Sequence, residues 1–185
     1  MSTGDEPDAE EREPPLAAPE LAGEAGWTPL DSLGWRRHEG AGRIDPRSFV
    51  RDDGSSDRLR VRYFVRDEDK ALRGKIWFGP ATQGPPGHAH GGSMAAVLDD
   101  AMGVAAWVAG HMVVAAKIEI RFVSMLPLGT VALLEASVAE AEGRKVRTKA
   151  ELRDDAGTVF ATGEGLFIHL GAERFRDFFA KASKG

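Results

Sequence analysis

Hydrophobic residues first settle into a regular pattern at Leu59. Leu59, Val61, Tyr63 and Val65 alternate with Arg60, Arg62 and Arg66, which predicts a strand with one face in the core. Asp67-Glu68-Asp69-Lys70 reads as a turn, and residues 72–78 read as a second strand closing a hairpin. Residues 79–92, GPATQGPPGHAHGG, form a Gly/Pro loop. The period then changes. Met94, Val97, Leu98, Ala101, Val104, Ala105 and Val108 recur at helical spacing, predicting a helix over 93–109 with Gly110 as its stop. Four strands follow, over 113–123, 129–141, 144–153 and 158–169, with turns at Pro127-Leu128-Gly129, Glu142-Gly143 and Asp154-Asp155-Ala156-Gly157. A short amphipathic helix is expected over 172–182.

One apolar helix set among antiparallel strands must bury itself against their sheet, so the sheet curls around it. The fold class is α+β. Upstream, Trp27, Leu30, Leu33 and Trp35 suggest a packed lead-in or a short helix, and residues 36–56 are polar and Gly-rich, like a connection. Residues 1–26 contain no aromatic residue. They hold too little apolar surface to offset the entropy of ordering, so a disordered tail is expected there and a single domain over 27–185.

Charge sharpens this division. The chain carries a net charge of -5, yet residues 1–26 alone contain Asp5, Glu6, Asp8, Glu10, Glu11, Glu13, Glu20 and Glu24 against Arg12. The body is therefore close to neutral and gives no electrostatic reason to expect nucleic acid. With no cysteine, thiolate metal sites and a cysteine nucleophile are excluded. No apolar run approaches the ~20 residues that span a bilayer, and no leader pattern is evident, so a cytoplasmic protein without membrane association is expected.

The candidate chemistry lies on the helix. From Ser93 to Gly110 the charged side chains are Asp99 and Asp100, both beyond the first turn, where the helix dipole does not explain them. Asp99 shares a side with Ala95, Met102 and Ala106; Asp100 points about 100° further round, beside Ala96, Gly103 and Trp107. Either acid can pair with an Arg or Lys from the sheet or reach water. Otherwise it is a carboxylate of raised basicity, available as general base or nucleophile. His90-Gly91-Gly92 precedes the helix, where free backbone N–H groups suit a carbonyl oxygen that gains charge during attack. His90 and Asp99 are separated by roughly 13 Å of helix. One chain can hardly bring both ends to one carbon, whereas antiparallel helices across a two-fold axis can, so the site calls for a homodimer.

At these residues, GPPGHAHGGSMAAVLDD resembles the PaaI-like branch of hotdog-fold acyl-CoA thioesterases. The similarity spans about residues 58–170, including Ile118-Glu119-Ile120-Arg121-Phe122, Pro127-Leu128-Gly129 and Glu142-Gly143-Arg144-Lys145. The resemblance implies a hotdog fold, a sheet wrapped around a central helix, and hydrolysis of acyl-CoA between subunits without a cofactor. It maps the family's acid to Asp99, its amide donor to Gly91 and the preceding histidine to His90. Gly92, Arg121, Arg144 and Lys145 become substrate-binding candidates, the last two for the CoA nucleotide. Several relatives carry Ser or Thr where this chain has Ala115; Thr148 and Ser124 are the alternative hydroxyls. The resemblance is compatible with a homodimer or with a dimer of dimers.

Rival readings are weaker. His88 and His90 with either acid offer at most a metal site in a flexible loop, a poor cage for the three convergent ligands of catalytic zinc. No Gly-x-Ser-x-Gly elbow is present. A non-catalytic module that binds acyl-CoA is the main alternative, although binding alone gives no reason to bury a carboxylate.

Overall fold

The computed structural model describes residues 35–38, 48–50, 57–171 and 173–174. The acidic stretch 1–26, the lead-in from Trp27 to residue 34 and nearly all of the expected C-terminal helix lie outside these. The elements are β1 (Trp35–His38), β2 (Leu59–Arg66), β3 (Leu72–Phe78), α1 (Gly91–Val108), β4 (Val113–Phe122), β5 (Val131–Glu142), β6 (Lys145–Arg153) and β7 (Val159–His169). The strands form one antiparallel sheet in the order β1-β2-β3-β5-β6-β7-β4. β4 follows the helix directly in the chain, yet it lies at the far edge, beside β7.

Six strands and the helix sit where the periodicity predicts. β1 does not. Residues 36–38 were expected to be connection, but Trp35–His38 pairs with β2 through Trp35↔Arg66 to His38↔Tyr63. A four-residue strand with two arginines has no readable period, and short charged strands are typical of sheet edges.

The register divides the sheet into two chemically distinct faces. Inward positions include Val61 and Tyr63 of β2, Gly74 and Ile76 of β3, Leu134 and Ala136 of β5, Ala150 and Leu152 of β6, and Gly163 and Phe167 of β7. On β4 they are Val113, Ala115, Ile118, Ile120 and Phe122, with a bulge between Ala115 and Lys117 restoring the phase. None of these positions carries Asp, Glu, Lys or Arg. The outward positions do, and they pair there: Arg73 with Glu135 at 2.8 Å, and Arg153 with Glu135 at 3.4 Å. Against the inward face, α1 buries Met94, Val97, Leu98, Ala101, Met102, Val104, Ala105 and Ala106. A Cβ at Gly163 would meet Met102 and Leu98 at 3.3 and 3.6 Å, so this glycine lets the helix approach β7.

Two local backbone devices terminate the helix. At its C-terminal end the His111 N–H donates to the Ala106 carbonyl and the Gly110 N–H to that of Trp107, with Gly110 at φ +90°. These are the paired bonds of a Schellman motif. A Gly110→Ala substitution meets open space but an unfavourable φ, and should lower the unfolding free energy by about 1 kcal/mol. Leu98→Ala, by contrast, empties a fully buried contact and should cost about 2–5 kcal/mol. Denaturant unfolding of the two variants checks the order.

Candidate functional site

The loop before the helix is tied down at several points. Gln83 bridges to Ala89 and His88 to Pro127, the Ala89 N–H donates to Leu126 O at 2.8 Å, and the His90 N–H donates to Thr82 O at 2.7 Å. These bonds fix His90 as the N-cap in an extended conformation, and α1 begins at Gly91, two residues earlier than its composition suggests. The imidazole Nδ1 accepts the Gly92 N–H at 2.8 Å, which leaves the ring proton on Nε2. The Ser93 N–H returns to the His90 carbonyl at 2.9 Å.

Gly91 is the exception. Among the described residues its N–H has no partner, so of the first three amides of α1 it is the one available to a carbonyl oxygen. Gly92, expected to contact substrate, has its amide occupied by His90, and a Cβ there would come within 2.9 Å of His90 Nδ1. Gly91 is screened on one side by Phe122, whose ring carbons lie 3.2–3.6 Å from where a Cβ would stand. Phe122 was not singled out from the sequence; its only signal is that it falls in phase with Ile118 and Ile120.

The two acids differ. Asp100 accepts a hydrogen bond from the Tyr63 hydroxyl of β2 at 2.8 Å. Asp99 is half-buried and makes no side-chain hydrogen bond or ion pair among the described residues. Burial pushes its carboxyl up from the ordinary carboxylate value, and the neighbouring Asp100 charge pushes it further the same way. No cation among the described side chains pairs with Asp99. Tyr63 carries a faint sequence signal: it is the one phenol in an otherwise apolar inward series. Met94 and Met102 are buried in the core; Trp107 is exposed, with Nε1 donating to Val113 O at 3.0 Å.

The basic candidates do not converge within one chain. Arg121 lies opposite Thr162 and Lys145 opposite Ile168, so about 20 Å of β7 separates them. Arg121 belongs to the end of the sheet where Phe122 meets Gly91. Arg144 and Lys145 belong to the other end, where the His169 N–H donates to Arg144 O at 2.8 Å and the helix finishes. All three are exposed. Ala115 is exposed on β4. The Thr148 hydroxyl, two strands away, is buried without a hydrogen-bond partner, and Ser124 is half-buried. A recess of about 620 Å³ lies on the opposite, outward face of the sheet, among Arg66, Arg73, Glu135, Lys149 and Glu151. It is remote from both Gly91 and Asp99, and its charges include the ion pairs described above. Among the described residues no three His, Asp or Glu side chains are grouped to hold a metal, and no helix is long and apolar enough to cross a membrane.

Comparison with known proteins agrees with this geometry. A family model described as the thioesterase superfamily matches residues 86–161, from the loop through α1 to β7. Acyl-coenzyme A thioesterase THEM5 of Mus musculus is 36% identical over 97 residues, covering 51% of this chain and 39% of that protein. Acyl-coenzyme A thioesterase THEM4 of Bos taurus is 33% identical over 124 residues, covering 65% of this chain and 51% of that protein. The chain thus spans about half the length of such relatives, or less. A solved thioesterase superfamily protein superposes with a TM-score of 0.55 at 32% identity, over 59% of this chain and 53% of that one. The E. coli PaaI protein superposes at 0.56 with 16% identity, over 60% and 80%. The curled sheet, its single central helix and the sequence around the helix start agree in resembling the thioesterase superfamily, whose model matches this part of the chain.

Proposed function

We propose that this protein hydrolyses acyl-CoA thioesters to the free acid and CoA. The observation that carries the reading is a carboxylate, Asp99, unpaired among the described residues, on a helix whose first amide, Gly91 N–H, is unclaimed among them too. Relatives named acyl-CoA thioesterases and a Streptococcus pneumoniae thioesterase solved with coenzyme A support the substrate class. In the general-base form, Asp99 takes a proton from water as its oxygen adds to the thioester carbon, and the Gly91 N–H steadies the developing oxyanion. The C–S bond then breaks, and the proton passes from Asp99 to the CoA sulfur. In the nucleophilic form the Asp99 oxygen adds to the thioester carbon and the C–S bond breaks, releasing CoA as a thiolate that takes up a proton. Water then hydrolyses the resulting mixed anhydride to the free acid and Asp99. His90 holds the loop by capping the helix, and Ala115 supplies no hydroxyl, so the water is positioned by other groups.

The two reacting groups belong to different protomers on this reading. About 12 Å of helix separates Gly91 from Asp99 within one chain. β4 offers the seam: it is a ten-residue strand at the sheet edge, with Val114, Ile118 and Phe122 exposed and Val123 and Met125 following. Long, apolar, unpaired edges are templates for pairing with a second copy. A two-fold axis beside β4 turns the helices antiparallel and sets one Gly91 near the other's Asp99. Arg144 and Lys145 face the nucleotide end of CoA.

Four outcomes are expected. Asp99→Asn should lower kcat about 10²- to 10⁴-fold while the dimer and CoA binding persist, measured by thiol release over a panel of acyl chain lengths. An absence of wild-type turnover on every chain would instead favour a binding module. The same variant should be more stable. A raised carboxyl binds protons more tightly in the native than in the unfolded state, so stability falls as pH rises from the ordinary value of 3.8 through the raised one. Asp99→Asn removes that loss, so it should melt above the wild type at pH 7, with the gap closing below pH 3.8.

Gly91→Pro tests the amide. Proline suits the first helical position, and the extended His90 tolerates a following proline. Combined with Phe122→Ala to make room, it should remove the N–H with the helix intact by circular dichroism and reduce kcat by about 10²- to 10³-fold relative to Phe122→Ala alone. Ile118→Asp should shift the protein towards monomer by sedimentation and abolish turnover together with assembly.

A further inference from the structure

We propose that Phe167 limits the size of the acyl group this protein accepts, by closing the acyl site one helical turn beyond Asp99, and that Thr148 selects for a hydrogen-bonding atom at that group's far end. The inference rests on the reading of Asp99 as the reacting carboxylate. It adds a substrate class to that reading: compact acyl groups with a polar tip.

Gly91, Ala95, Asp99 and Gly103 form one row along α1, each four residues on from the last. An aromatic ring stands at each end of it. Carbons of the Phe122 ring lie 3.2–3.6 Å from where a Cβ at Gly91 would stand, and Phe167 Cε1 lies 3.6 Å from that of Gly103. The two ends differ in access. Phe122 is 53% exposed, whereas Phe167 is only 3% exposed. The CoA arm is long and polar and leaves by an end open to water, so the acyl group takes the closed one. From Asp99 to Gly103 is about 6 Å, which admits roughly five carbons beyond the carbonyl before the ring is met.

Missing side chains make the place for this ring. With Cε1 towards Gly103 of the helix, its Cε2 edge fills the space over Gly165 of β7, where a Cβ would collide with it. Glycine inside a helix and glycine inside a strand both sacrifice stability, and here one ring uses the two. The same Gly165 Cβ would stand 2.8 Å from Thr148 Oγ1. Thr148 faces Gly165 across the β6–β7 ladder and is 2% exposed, and its hydroxyl has no hydrogen-bond partner among the described residues. Buried hydroxyls are nearly always paired, because an unmade bond forfeits hydration without return. Ring and hydroxyl meet over Gly165, so an acyl tip that reaches the ring also reaches the hydroxyl. A polar atom on that tip supplies the partner Thr148 lacks.

The test reads binding apart from turnover. Straight-chain acyl-CoAs of increasing length, and their ω-hydroxyl counterparts, are titrated calorimetrically against the full chain carrying Asp99→Asn and assayed for hydrolysis by the chain with Asp99 intact. With Phe167 present, affinity and kcat/KM should fall about 10-fold or more per carbon once the acyl group exceeds roughly six. Phe167→Ala should move that limit outward by several carbons, and Phe167→Leu, which keeps the core largely filled, by fewer. Thr148→Val, matched in shape, should erase a preference of about 5- to 10-fold for the ω-hydroxyl tip and leave the length limit in place. A limit unmoved in the Phe167 variants that fold by circular dichroism overturns the stop; Phe167→Leu decides if Phe167→Ala does not fold. A tip preference that is absent, or that survives Thr148→Val, overturns the selection by Thr148. If length and tip are discriminated in binding but no acyl-CoA is hydrolysed, the acyl site stands and the role of Asp99 in hydrolysis falls.

Discussion

A carboxylate, Asp99, half-buried on a helix with no ion pair or side-chain hydrogen bond among the described residues is the constraint around which this molecule is arranged. Withdrawing an ionised acid from water costs several kcal/mol unless it is paired, hydrogen-bonded or neutralised. Two acids stand side by side on α1. Asp100 accepts a hydrogen bond from a phenol threaded over a glycine, whereas Asp99 is half-buried with no side-chain partner among the described residues. Burial and the neighbouring acid both favour its protonated form.

The ends of the helix explain why so little else is needed. His90 and its neighbours consume the second and third amides and leave the first. That selectivity comes from a loop bonded to Thr82 and Leu126, with the imidazole turned back onto the backbone. An amide donor and a carboxylate two turns of helix apart are useless to one thioester carbon. On the proposed reading both become useful once a second copy lies antiparallel alongside, against the exposed edge at β4. Assembly and chemistry are, on the proposed reading, one requirement.

Much of this was legible in residue order. The switch from a period of two to a period near 3.6 and back located six strands and α1, because each element has a buried face and an exposed one. The isolated pair Asp99-Asp100 stood out because nothing on an apolar helix accounts for a charge. Other features were not legible. β1 is too short for a period. Gly92 looked like Gly91, and only the orientation of His90 separates them. The Tyr63–Asp100 contact spans 37 positions and depends on Gly74, so no local pattern announces it. Arg121, Arg144 and Lys145 share a residue type but lie at opposite ends of the sheet, a matter of register alone.

The sealed helix ends carry one more consequence. With a side-chain cap at one terminus and a left-handed glycine at the other, α1 has no slack turn in which to hide a change of length. A residue inserted between Gly91 and Asp99 would have to advance the helical phase by about 100°, swinging the carboxylate towards a neighbouring face of the bundle. The count from the first amide to the acid therefore behaves as a ruler whose divisions do not stretch.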